Sequence, residues 1–326
     1  MNSTGLPLRC GDSGAAVRDL HRRLAKAGFV GVGDLDVFDE STERVVREFQ
    51  ADRRLVEDGI CAQQTWAALV EATFRLGDRM LYLRSPLTRG DDVADLQLRL
   101  GKLGFDAGWI DGIFGRETEE AVRDFQHNQG LNADGTVGRS TVAALERLAG
   151  RQFATKTIAE VRQSEHFRER RGLAGRRILL GETGGFPAIA NSVARLLQVD
   201  GATVLTQHHP NQSSHARIAN EWNGDAYLGF ALAAHDFRIA YFQTQGFTSN
   251  GGRGLAEQCA AEVSSVLDCE HPATGMRLPI LRETRMTAVW CRMGPAPLVV
   301  ERTEAVAAAL RDAITNWCDN PEVTIA

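Results

Sequence analysis

Apolar residues recur three or four positions apart through the first half of the chain, and the recurrence itself repeats. Laid on itself with an offset of 76 residues, from Gly14 against Gly90 to Leu69 against Leu145, the chain matches without a gap. Val17, Leu20, Leu24 and Phe29 meet Val93, Leu96, Leu100 and Phe105, and Phe38, Val46, Phe49, Gln50, Asp58 and Gly59 meet Phe114, Val122, Phe125, Gln126, Asp134 and Gly135. Each run has the spacing of one buried helical face, with Gly and Asp between runs, and predicts three short helices per copy. In the second copy they are expected at about Asp91–Leu103, Arg116–Asn128 and Gly138–Leu148, with Asp111-Gly112 and Asp134-Gly135 as turns. Gly59 and Gly135 are expected at positive φ, where a β-carbon would clash.

From Arg176 onward the pattern changes to strands alternating with helices. Strands are predicted at 177–180, 202–206, 226–232, 239–243 and 288–293, and helices at 191–198, 213–222, 254–267 and 301–317. The fold class is therefore α followed by α/β. Two three-helix bundles, residues 6–75 and 83–150, precede a charged linker, 151–172, an α/β domain with a mostly parallel or mixed sheet, 173–319, and a tail, 320–326. Within the linker, Thr157 and Glu160 have the spacing of a capping box.

A length of 326 residues accommodates two to three domains with their own cores, and a formal charge of −5 argues against a nucleic-acid partner. The opening residues, Met1 to Cys10, contain no apolar run of signal-peptide or membrane-anchor length, so the chain is expected to have no transmembrane segment and to reside in the cytoplasm. Six cysteines, at 10, 61, 259, 269, 291 and 318, show no paired spacing and are expected to be reduced thiols acting as small hydrophobes.

The repeated module resembles the peptidoglycan-binding domain found at the ends of many cell-wall hydrolases. The resemblance rests on Gly90-Asp91-Asp92-Val93, Leu103-Gly104-Phe105, Asp111-Gly112-Ile113-Phe114-Gly115, Phe125-Gln126 and Asp134-Gly135-Thr136-Val137-Gly138. It implies that Asp111, Gly112, Phe114, Gly115, Gln126, Asp134 and Gly135 are candidates for binding glycan or peptide. Copy one departs at the first turn, where Asp36-Val37-Phe38-Asp39 stands, so copy two is the better candidate.

The order of elements in the last domain resembles the zinc-dependent N-acetylmuramoyl-L-alanine amidases. That family uses a histidine in a glycine-rich turn after the first strand, a Glu on the next helix, a second histidine on the central strand and a catalytic Glu beyond the last strand. Zinc needs such donors to leave one position open for a polarised water. Here the turn reads Leu180-Gly181-Glu182-Thr183-Gly184-Gly185, the helix opens with Phe186, Ala231 falls at the second histidine and Arg292 at the catalytic Glu. A guanidinium about 5 Å from a divalent ion, at an effective dielectric near 20, opposes it by roughly 7 kcal/mol. Zinc is therefore expected to be absent, no residue is assigned a catalytic role, and the chain is expected to be no enzyme, with Glu182, Thr183, Phe186, Ala231 and Arg292 marking a degenerate site. Relocated metal ligands remain the alternative, and His209, His215 and His235 are the candidates for them. Adjacent His208 and His209 point to opposite sides of an extended segment and are poor joint ligands. The glycine-rich run 248–254 reads as a flexible loop and lacks the spacing and Lys of a P-loop.

Both resemblances together, from about Leu6 to Trp317, are those of the CwlM-like actinobacterial cell-wall regulators. Membership implies a regulator of peptidoglycan precursor synthesis that binds and activates the UDP-N-acetylglucosamine enolpyruvyl transferase and is itself controlled by a Ser/Thr kinase. The kinase sites of that family lie in a Thr-rich tail, and the tail here offers Thr324 alone. A muropeptide or lipid-linked precursor is the other expected ligand. An active amidase and a simple precursor sensor remain open alternatives.

Overall fold

A computed structural model describes residues 5–31, 33, 36–148, 172–235, 237–244, 247–268 and 272–320. The predicted linker helix near Thr157 and the tail residue Thr324 lie outside them. The chain divides into two compact units, Met1–Val161 and Arg162–Ala326.

The first unit holds the repeats. Copy one is built from α1 (Ala15–Lys26), α2 (Glu40–Asp52) and α3 (Gln63–Glu71), copy two from α4 (Asp91–Lys102), α5 (Arg116–Asn128) and α6 (Arg139–Leu148). The periodic apolar residues face inward in both: Val17, Leu20, Leu24, Phe38, Val46, Phe49 and Leu69 form one core, and Val93, Leu96, Leu100, Phe114, Val122, Phe125 and Leu145 the other. Phe29 meets Phe49 edge to face at 5.3 Å, and Phe105 meets Phe125 in the same way at 5.5 Å. Such pairs contribute about 0.5–1.5 kcal/mol beyond their burial.

A buried glutamine closes each module. The Gln126 side-chain amide donates to Asp134 Oδ1, Thr136 O and Thr141 Oγ1, and its carbonyl accepts from Gly135 N at 2.9 Å. Gln50 does the same with Asp58, Ile60, Thr65 and Gly59. The turn glycines adopt the expected positive φ, 74° at Gly59 and 77° at Gly135. Copy two uses the device once more, through Gln97 on Asp111, Ile113, Thr118 and Gly112. His21 occupies the corresponding place in copy one and bonds Thr42 Oγ1 at 2.9 Å, which accounts for the lost Asp-Gly turn there. Asp39, standing where copy two has Gly115, caps α2 by accepting from Thr42 N.

The second unit is a seven-stranded mixed sheet: β1 (Arg177–Glu182), β2 (Thr203–His208), β3 (Ala226–Leu232), β4 (Arg238–Thr244), β5 (Phe247–Thr248), β6 (Ala273–Met276) and β7 (Thr287–Met293). Their order is β2-β1-β3-β7-β4-β5, with β6 beside β4. The first four in this order are parallel, and β4 runs antiparallel to β7. Six helices accompany them among the described residues: α7 (Pro187–Val199), α8 (Gln212–Trp222), α9 (Asn250–Leu267), α10 (Pro279–Glu283), α11 (Ala296–Glu301) and α12 (Thr303–Asp319). Alternate strand residues such as Ile178, Leu180, Leu228, Phe230, Val289 and Cys291 pack with α7, α9 and α12 into the main core. Helix α8 lies on the opposite face, where His215 meets Tyr227, and is tied to α10 by Asn220 Nδ2 donating to Glu283 O.

The run 248–254, read from sequence as a loop, is helical from Asn250. Ser249 caps it by accepting from Gly252 N, and a β-carbon at Gly252 would come within 3.2 Å of Ala288 O, so the glycines let α9 approach the sheet. Of the cysteines among the described residues, Cys61, Cys259, Cys291 and Cys318 are buried free thiols and Cys10 is exposed. No described helix is long and apolar enough to cross a membrane.

Candidate functional site at the carboxyl end of the sheet

Strand β1 lies between β2 and β3, with α7 leaving toward one face and α8 toward the other. The crevice beyond the carboxyl ends of β1 and β3 is therefore the topological switch point, where open α/β sheets bind ligands.

Glu182 ends β1, and its side chain is only 2% exposed. Oε1 accepts from Gly184 N at 2.7 Å and Phe186 N at 2.8 Å, so the carboxylate sits on the amino end of α7 and complements its dipole. Oε2 lies 2.5 Å from Nδ1 of the exposed His208. Gly184 and Gly185, at φ 132° and 93°, turn the chain tightly enough for this contact. Thr183 N donates to Phe230 O at 3.3 Å, which fixes Thr183 beside the end of β3. Ala231 is the register partner of Arg292 on β7, and Arg292 in turn faces Arg238 on β4. Sheet register thus gathers Thr183, Ala231 and Arg292 at one end, while Phe186 is buried in the main core.

His215 is fully buried on α8. Its Nε2 lies 2.7 Å from His209 O, and a carbonyl can only accept, so the proton is on Nε2. Nδ1 then accepts from the Tyr227 hydroxyl at 3.1 Å. Burial, the largest cause, pushes the His215 pKa down, and burial pushes the Tyr227 hydroxyl well up. His209 uses Nδ1 to accept from Asn211 N, and its ring packs edge on against His215 at 6.3 Å. His235 is exposed in the segment between β3 and β4. Both ring nitrogens of His215 are thus engaged, and among the described residues no three His, Cys, Asp or Glu side chains converge on a metal site. Nor does the set Thr183, Ala231 and Arg292 fit zinc: it brings a hydroxyl, a methyl group and a cation where the ion needs anionic or imidazole donors.

Sequence reading missed the Glu182–His208 pair and the buried His215–Tyr227 pair. The signal for the second lay in strand glycines, since a β-carbon at Gly181 would overlap both the Tyr227 hydroxyl and the His215 ring.

In the repeats, Phe114 belongs to the core, Gln126 is 2% exposed, and Asp111 accepts from Gln97 Nε2 and Ile113 N. The Thr136 amide and the Gln126 side chain hold the Asp134 carboxyl below its usual range. Gly112 N and Gly135 N donate to Gln97 and Gln126, and Gly115 is the N-cap residue that precedes α5. These groups hold the two turns in shape, so recognition of glycan or peptide there would fall to neighbouring backbone and side chains.

A family model described as a peptidoglycan binding domain matches residues 13–69 and 89–145, two segments set apart by the same 76 positions as the repeat. The chain is 33% identical over 95% of its length, and 87% of the relative's, to N-acetylmuramoyl-L-alanine amidase CwlM of Mycobacterium tuberculosis. It is 33% identical, over 45% of this chain and 47% of the other, to N-acetylmuramoyl-L-alanine amidase CwlL of Bacillus licheniformis. Among solved structures, the N-acetylmuramoyl-L-alanine amidase from Clostridium difficile 630 aligns at a TM-score of 0.37 and 13% identity, over 45% of this chain and 98% of that one, a likeness too slight to carry weight. These relatives correct one expectation: the chain was expected to be no enzyme, yet the proteins it resembles along its length bear an enzyme's name. With a third of its residues shared along 95% of the chain, and a doubled peptidoglycan binding domain ahead of the sheet, this protein belongs to the CwlM family of N-acetylmuramoyl-L-alanine amidases.

Proposed function

We propose that this amidase-family protein serves peptidoglycan synthesis by binding. It docks on the UDP-N-acetylglucosamine enolpyruvyl transferase in the cytoplasm and raises its turnover, while the repeats, copy two foremost, receive muropeptide or lipid-linked precursor. The observation that carries this reading is the gathering of Thr183, Ala231 and Arg292 at the switch point, a set suited to an anion or a partner surface and unsuited to a divalent metal. The test is transferase turnover with and without the purified full chain. A rise that saturates with added chain is expected; unchanged turnover, together with failure of the two proteins to co-purify, would sink the proposal.

Hydrolysis of the bond between N-acetylmuramic acid and L-alanine is the second reading, favoured by the names of the relatives. Peptide release from a muropeptide that stops on addition of a chelator would support it over the first.

A further inference from the structure

The two repeats meet through residues that the repeat itself does not carry. Under the offset of 76, Arg53 stands against Gln129, Asp91 against Ala15 and Asp92 against Ala16, so each copy is charged only where it turns toward the other. Arg53 directly follows α2 of copy one, and its guanidinium reaches Oδ2 of Asp91, the first residue of α4 in copy two, at 2.5 Å. It also lies over the Phe49 ring, 5.6 Å from the centroid, so the cation rests on the core of copy one while it holds the anion of copy two. The two side chains are only 15% and 29% exposed, and partly buried pairs are screened by salt less than exposed ones.

The connector adds a second contact. Ala72 still packs on the core of copy one and Leu76 already packs on that of copy two, leaving only Thr73, Phe74 and Arg75 between them. Thr73 is buried and donates to Val70 O, and Arg75 N donates to Asp78. The Phe74 ring meets Lys26 Nζ, at the end of α1, at 5.7 Å and the Arg79 guanidinium at 4.0 Å. Arg79 in turn holds both carboxylate oxygens of the buried Asp92, at 2.7 and 2.9 Å.

We propose that these contacts lock the two repeats into one rigid body, and that the Arg53–Asp91 pair is the contact on which the lock depends. The turns at Asp58-Gly59 and Asp134-Gly135 are then presented at a fixed separation and orientation. Such a pair favours a ligand that reaches both turns at once, because the second contact forms within the complex already made, whereas a ligand with one epitope gains nothing from the second copy. The outer ends, with Ala15 and Gln129 in place of the charges, offer no matching pair, so the joint forms once and does not propagate from chain to chain. The inference is independent of the transferase reading proposed above.

The experiment is a spin-label distance measurement on the full chain, with labels at Arg44→Cys and Glu120→Cys, exposed and equivalent positions on α2 and α5. Cys10→Ser and Cys269→Ser keep the label off the exposed Cys10 and off Cys269, which lies outside the described residues. One narrow distance is expected in this chain. Asp91→Arg sets two guanidiniums against each other and should replace the narrow distance with a broad distribution. Adding Arg53→Asp to Asp91→Arg restores the attraction with its sign reversed and should bring the narrow distance back, and that recovery separates a released joint from a lost fold. Glu146→Arg, the same change of charge on the exposed side of α6, should leave the distance unaltered. A broad distribution before any change at the joint, the same narrow distance with Asp91→Arg, or no recovery on adding Arg53→Asp would overturn the proposal.

Discussion

Gln126 engages four partners from one buried side chain, its two N–H groups shared among three acceptors and its carbonyl accepting from Gly135 N, all within the 16 residues that end at Thr141. A leucine could fill the volume but would leave the Gly135 amide without its acceptor. Truncation by Gln126→Ala is expected to cost about 2–3 kcal/mol of stability, since a buried donor is left unmatched. Urea denaturation of the full chain would check this, and a midpoint shift worth less than about 0.5 kcal/mol would contradict it. The sequence could place Gln126 opposite Gln50 but could not show its side chain turned inward. What distinguishes a ligand-binding amide from a structural one is the set of acceptors around it, which only folding brings together.

Among the elements, the long periodic helices were legible and the short ones were not. Helix α5 spans Arg116–Asn128 as predicted, and α4 and α6 differ from prediction by one residue at one end. Strands β5 and β6 and helices α10 and α11 escaped notice, because two to six residues complete neither two turns of a helix nor enough alternation to define a face. The switch-point arrangement was hidden for another reason: Ala231, Arg238 and Arg292 are neighbours through strand order, with β7 entering between β3 and β4. The contact of α8 with β3 also makes stability depend on pH. Burial lowers the His215 pKa from 6.5; the His209 carbonyl and Glu182 work against this, and the rings of His209 and His208 work with it. The folded state therefore binds fewer protons at this site than the unfolded chain, so its stabilising contribution is full above the ordinary imidazole range and is lost progressively as pH falls below about 6.5. The melting temperature of the sheet-containing unit should decline from pH 7 to pH 5, and His215→Gln should flatten that decline; an equal slope in the variant would exclude His215 as its source.

At the scale of the whole molecule, charge, site and family membership have to agree. Membership places the protein among amidases, whereas the residues at its switch point oppose a divalent cation with Arg292 and offer no donor triad among those described. Protein purified without chelator is accordingly expected to carry well under one zinc per chain by elemental analysis. Stoichiometric zinc, lost on mutation of His209 or His235, would overturn that expectation and move the site.

Strand order also sets the sequence of events as the chain folds. Each glutamine clamp joins residues no more than 21 positions apart, from Gln97 to Thr118 at the widest, so the repeats can close on local contacts as soon as they are made. The sheet cannot close in that way. Strands β3 and β4 are neighbours in sequence but flank β7, which is synthesised after α9, β6 and α10. Until β7 arrives, two strand edges face an open slot, and the pairing that brings Arg292 beside Ala231 and Arg238 is the step that fills it. The register that joins Ala231, Arg292 and Arg238 and the finished sheet come into being together.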